Sequence, residues 1–89
     1  MPSEPIRKAK QHDVKIWPIF FECMLSGHKT CDVRFADRDY QVHDEILFRE
    51  YSLEKGYTGR SCRRWITHVL ADSDFCKPGF VVISLRTIW

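Results

Sequence analysis

Hydrophobic and polar positions alternate early in this chain. In residues 12–17, Val14 and Ile16 fall on one side, with Lys15 and Trp17 opposite. That two-residue period predicts a first strand. It ends at Pro18, a residue suited to the first turn of a helix, where its missing N–H costs nothing. Across residues 18–26, Ile19, Cys23 and Ser26 form one line, and Phe20, Phe21, Met24 and Leu25 lie beside it. The spacing predicts a short helix with a broad buried side and reads the Phe cluster as core. Gly27 follows where a left-handed residue closes a helix well.

Strand signals then resume. Residues 29–35 are β-rich, and 36–39 form a polar loop whose aspartates suit turns. Residues 42–44 lead into 45–51, where Ile46, Phe48 and Glu50 alternate with Leu47, Arg49 and Tyr51. Residues 52–59, with two glycines, read as a hairpin connection. In a long strand over 60–71, Cys62, Arg64, Ile66 and His68 share one face; Arg63, Trp65, Thr67 and Val69 share the other. After a loop over 71–79, residues 80–85 are nearly continuously apolar, as suits a strand buried on both faces. The pattern predicts an α+β, mainly β domain. Its expected form is a small barrel of about five short antiparallel strands, with one short helix after the first strand covering an open end.

Length and composition narrow the class. At 89 residues there is room for one core, and a chain of this size buries about 60–65% of its unfolded surface. With 44% hydrophobic and 29% charged residues, disorder, collagen and coiled coil are excluded. The net charge of +2 lies entirely in residues 1–11, where Arg7, Lys8 and Lys10 face Glu4. We read that segment as a flexible basic arm, able to wrap a phosphate backbone or simply to aid solubility, and residues 12–89 as the single domain. A neutral body does not coat nucleic acid nonspecifically, so an anionic partner must be held by a local patch. No apolar targeting or membrane-spanning segment is evident, which makes the cytoplasm the expected address. Cys23, Cys31, Cys62 and Cys76 form no CxxC pair, and His12, His28, His43 and His68 no HxxxH pair. Reduced thiols, no metal site and no cofactor are therefore expected.

The most distinctive stretch is Gly27-His28-Lys29-Thr30-Cys31-Asp32-Val33-Arg34. Asp32 and Arg34 share a strand face, and Lys29 stands at the strand entrance. Lys and Arg can grip anionic oxygens while Asp accepts from an amide or hydroxyl. The competing reading is an ordinary solvated Asp32–Arg34 ion pair. Thr30 and Ser26 supply hydroxyls near Lys29, and His28 suits a helix-capping position. Arg60, Arg63 and Arg64 form the densest basic cluster, followed by Trp65. Arginine with aromatics fits single-stranded RNA, yet alternation separates Arg64 from Arg63 and Trp65. Tyr40, Tyr51 and Tyr57 flank loops at the expected barrel ends, as stacking groups or as loop packing. Trp17 and Trp89 read as lids on the core, with an exposed Trp89 as a self-association surface.

The order strand, short helix ending LSGHKT, then G-x-K-x-x-[acid or Thr]-x-R resembles the ASCH domain, a superfamily of PUA-like β-barrels. HDVKI resembles its first strand, DRDYQVHDEILFREY its approach to the third, and GYTGR, ITHVL and GFVVISL its last two. The likeness spans residues 11–85 and is greatest to a short, single-domain branch of unknown function. It implies RNA or nucleotide binding in a charged cleft formed by Lys29, Asp32 and Arg34, with Arg38 at its rim and Thr30, Tyr57 and Arg63 as further contacts. It also offers an alternative, a small hydrolase acting on RNA or on a modified nucleoside of the N4-acetylcytidine type. In that case Lys29 and Asp32 would be catalytic, with Lys29 as base and Asp32 orienting water. The amidohydrolase members use a Lys, a Thr and a Glu. Here Lys29 matches, the Thr position holds Asp32, and neither Asp72 nor Asp74 is placed by a motif as the Glu.

Overall fold

The computed structural model describes residues 8–72 and 74–88; Arg7 and Trp89 lie outside them. Five strands and one helix follow in the order β1 (Gln11–Ile16), α1 (Pro18–Leu25), β2 (Cys31–Phe35), β3 (Glu45–Ser52), β4 (Gly56–Leu70) and β5 (Phe80–Thr87). They form one sheet of order β1-β3-β4-β5-β2, curled into a half-barrel. The mainly β, α+β class with a short helix after β1 is thus observed. One pairing differs from the expected antiparallel set, because β1 runs parallel to β3. A short turn cannot join parallel neighbours. The chain instead passes from β1 through α1 to the far edge of the sheet, where β2 pairs with β5.

Alternation builds the core. Val14 and Ile16 of β1, Ile46 and Phe48 of β3, Ile66 of β4, and Val81, Ile83 and Leu85 of β5 are buried on the concave face. Phe21 and Met24, three positions apart on α1, complete it. The remaining apolar helix positions are not buried: Ile19, Phe20 and Leu25 are exposed. Two turns of helix on a curled sheet bury one stripe, so the buried side is narrower than the spacing predicts. β5 departs from expectation for a similar reason. The sheet is covered on its concave side, so Val81, Ile83 and Leu85 are buried while Phe80 is exposed and Val82 half-buried.

Two local features shift positions along β4. The hairpin turn takes just Leu53–Lys55, and β4 starts at Gly56 rather than residue 60. A register shift against β5 then falls between Ile66 and His68. One extra residue there reverses the alternation, so Val69, rather than His68, packs against the core with Ile66. His68 is exposed.

A buried polar pin holds the start of β1. His12 Nε2 lies 2.8 Å from Asp44 Oδ2, and both side chains are buried. Asp44 also accepts from the backbone N–H groups of Lys10 at 3.0 Å and Gln41 at 3.1 Å. The His12 ring packs 4.8 Å from that of Tyr40. Tyr40 is therefore a core residue and not a stacking group at a barrel mouth, and burial pushes its phenol above the usual range.

Candidate functional site

Gly27, at φ +82°, turns the chain out of α1. The N–H groups of His28 and Lys29 both donate to the Cys23 carbonyl at 3.0 Å. Ser26 Oγ donates to the same carbonyl at 3.0 Å and lies 2.9 Å from His28 Nδ1. His28 thus belongs to the helix terminus, as its position predicts. This cap aims Lys29 back along the start of β2. Its Nζ donates to the Cys31 carbonyl at 2.8 Å and lies 3.2 Å from Asp32 Oδ1. Asp32 is buried, and its second oxygen takes Arg34 Nε at 2.5 Å. The three charged residues of the motif are therefore brought together, with the carboxylate between two cations.

Arg34 and Arg38 do something the sequence did not suggest. β1 and β2 are the two edges of the sheet, facing each other across an open seam. Arg34 Nη2 donates to the Lys15 carbonyl at 2.8 Å, and Arg38 Nη1 to the Asp13 carbonyl at 2.8 Å. Carbonyls two residues apart point to the same edge of a strand. The two guanidinium groups supply donors where a neighbouring strand would otherwise stand.

The seam widens beside Arg34 into a cleft of about 590 Å³, within the range of about 300–1,000 Å³ usual for small-molecule sites. Asp32 and Arg34 line it, joined by Lys15 from β1 and three aromatic rings, Trp17, Phe20 and Tyr51. Trp17 and Phe20 are nearly half exposed. Lys15 Nζ sits 4.2 Å from the centre of the Tyr51 ring, a cation–π contact. A shallower depression of about 350 Å³ shares Lys15 and Arg34 and adds Arg38 and Tyr57. The exposed Tyr57 ring packs edge-on against Tyr51 at 5.2 Å, with the Arg49 guanidinium 3.9 Å away.

Other candidate positions lie outside this seam. Lys29 does not line the cleft; it stands behind Asp32, 5.5 Å from the Phe20 ring centre. Thr30 is exposed and contributes its carbonyl to the Leu85 N–H at 2.8 Å. Arg63 pairs with Glu45 at 3.3 Å, away from the cleft lining. Arg64 donates to the Met24 carbonyl at 3.0 Å, capping the helix from the opposite face. Asp72 and Asp74 are exposed in the loop before β5.

Tyr51 was already a candidate stacking group and does line the cleft, whereas Lys15, Trp17 and Phe20 were not legible as site residues. Trp17 and the Phe cluster read as core and lid, yet Lys15 and Trp17 share the outward face of β1. An aromatic three residues further on, at the start of a helix, was the available signal. A second charged cluster lies beneath α1. Glu50, buried on β3, accepts from Thr58 Oγ1 at 2.7 Å and from Arg60 Nε at 3.0 Å. Arg60 also pairs with Glu22 and lies 4.7 Å from the Phe21 ring centre, tying the helix to the sheet. The Thr58 hydroxyl, followed by Arg60, holds the Glu50 carboxyl below its usual range against the opposing effect of burial. The four cysteines are free thiols, and burial pushes that of Cys62 upward.

Fold and site together define a small half-barrel domain with a cationic, aromatic-walled seam between its edge strands. Residues 11–85 match the family described as a domain of unknown function (DUF3850), and the chain belongs to that family. It is also 34% identical over 69 residues to an uncharacterized 12.9 kDa protein in the GpA 3′ region of Escherichia phage P2. That match covers 78% of this chain and 62% of the phage protein. Among the described residues, no helix is long and apolar enough to cross a membrane.

Proposed function

We propose that the seam binds single-stranded RNA or a nucleotide, in the manner of a PUA-like module of the ASCH kind. The observation that carries this reading is the cleft wall, where Lys15 and Arg34 stand among Trp17, Phe20 and Tyr51. Exposed aromatic rings give a base a stacking surface, and flanking cations meet its phosphate. Asp32 fixes the Arg34 plane, and with Lys29 behind it the group carries three cations against one carboxylate. That local excess suits a short ligand on an otherwise neutral body. The hydrolase alternative has weaker support. Lys29 is engaged by Asp32 and Cys31 and stands outside the cleft lining, which is a poor position for a base.

Fluorescence anisotropy with a labelled ten-nucleotide single-stranded RNA tests the proposal. Trp17→Ala removes a stacking face, worth about 1–3 kcal/mol per base, and should weaken binding about tenfold or more. Lys15→Ala should weaken it less and reduce its salt dependence. Wild-type affinity in both variants would overturn the cleft reading, and a larger loss from Arg63→Ala would move the site to the convex face. Turnover of N4-acetylcytidine that Lys29→Ala abolishes would restore the hydrolase.

A further inference from the structure

At the other end of β1 lies a second cleft, of about 490 Å³, that among the described residues shares no lining residue with the first. Its walls come from Ala9, the turn at Val42 and His43, Trp65 and Thr67 of β4, and Arg86 of β5. Trp65 and Arg86 are directly opposed across the β4–β5 ladder, which puts their side chains side by side on one face. Arg86 and His43 are exposed, and among the described residues no carboxylate lines the cleft. Glu45, on the other flank of Trp65, is engaged by Arg63 at 3.3 Å and by Gln11 at 3.0 Å.

Two backbone irregularities meet here. His43 is the one non-glycine residue with positive φ among the described residues, at 76°. A left-handed histidine costs about 1 kcal/mol or more and persists where its surroundings hold it. The His43 N–H donates to the Ile66 carbonyl at 2.9 Å, and the Ile66 N–H donates to the Asp44 carbonyl at 2.8 Å. The register shift of β4 falls just beyond, between Ile66 and His68. Bulges of this kind re-aim side chains and are enriched beside functional sites. Together they present an imidazole, an indole and a guanidinium around one concavity.

We infer that this cleft is a second ligand site, for a nucleoside phosphate whose base stacks on Trp65 and whose phosphate meets Arg86 and His43. The indole offers a π-face to any base. The guanidinium binds phosphate oxygens with two parallel donors, and the flanking Glu45 carboxylate is held by Arg63 and Gln11. The inference does not rest on the reading of the seam, whose cleft begins at Lys15, six residues and about 20 Å from Ala9 at 3.3 Å per residue. A free nucleotide and one unit of an RNA strand present the same chemistry.

Proton–nitrogen correlation spectra of the full chain, with adenosine 5′-monophosphate as the probe, test it. The Trp65 indole resonance, assigned with Trp65→Phe, should shift saturably, together with the amides of Thr67 and Arg86. Arg86→Ala, at an exposed position, should weaken binding about tenfold, and Trp65→Leu should abolish it. Trp17→Ala in the seam should leave it unchanged. A ten-nucleotide single-stranded RNA that binds this cleft more tightly than the mononucleotide assigns the strand as the source; equal or weaker binding assigns the free nucleotide. An unmoved Trp65 resonance at millimolar nucleotide, or orthophosphate alone binding as tightly, would overturn the inference.

Discussion

Arg34 on β2 donates to the backbone carbonyl of Lys15 on β1 at 2.8 Å, so the two edges of the sheet are joined through a side chain. An exposed strand edge carries unpaired carbonyls and N–H groups that invite other strands. Here Arg34 and Arg38 occupy two of those carbonyls, at Lys15 and Asp13. The same guanidinium holds Asp32, so the site's charge arrangement and the closure of the seam depend on one residue.

Arg34→Lys should therefore destabilise the domain, because an ammonium does not reproduce the planar fork that reaches both Asp32 and the Lys15 carbonyl. Hydrogen bonds to charged groups contribute about 1.5–3 kcal/mol each, and a loss of about 1–2 kcal/mol in urea denaturation is expected. Arg38→Lys should cost less, since that side chain is 39% exposed. Equal stability of the Arg34 variant and wild type would show that the seam is held by other contacts.

Asp44→Ala should be far more damaging. It leaves His12 and the Lys10 and Gln41 N–H groups without the acceptor they share. Each buried donor left without an acceptor costs about 1–3 kcal/mol. Circular dichroism during chemical denaturation should show a large fall in midpoint, with a smaller fall for Asp44→Asn. A fall below that expected for an exposed position would place the pin outside the folding core.

Glu50 makes the stability depend on pH. Its carboxyl is held below the usual value of 4.5, first by the Thr58 hydroxyl and then by Arg60. A group with a lowered folded pKa contributes stability above its unfolded value and loses it as pH falls through the folded one. Melting temperature should therefore drop on acidification below about 4.5, the ordinary Glu value. The slope should be shallower in Glu50→Gln, and an identical acid slope in that variant would assign the effect to other carboxylates.

Two glycines with the same φ should respond differently. Gly27 and Gly79 both sit at +82°, but a Cβ at Gly79 would meet the Phe35 ring at 2.8 Å, and one at Gly27 meets nothing within 4 Å. Gly27→Ala should cost about 1 kcal/mol for the left-handed backbone alone. Gly79→Ala adds displacement of Phe35 from its edge-on contact with Phe80. Thermal denaturation should rank Gly79→Ala as the less stable, and equal stability of the two variants would mean that Phe35 moves aside without cost.

Alternation and breakers in the sequence identified the kinds of element and, for β1 and β3, which residues share a face. Alternation placed Val14 and Ile16 of β1 and Ile46 and Phe48 of β3 correctly, and Pro18 and Gly27 marked the ends of α1. The Lys29, Asp32 and Arg34 cluster was also legible, because a short strand and a helix cap bring together residues two and three apart. Partnership between strands emerged only with the folded sheet. A two-residue period says which side of a strand is apolar, and it does not say which strand lies beside it or whether they run parallel. Parallel pairing of β1 with β3, placement of β1 and β2 at facing edges, and reversal of β4 after Ile66 all depend on contacts distant in sequence. Those contacts put Trp17, read as a lid, and Phe20, read as core, on the cleft wall and turn Arg34 and Arg38 into a closure. Burial periodicity is local, whereas a seam exists only once the sheet has curled.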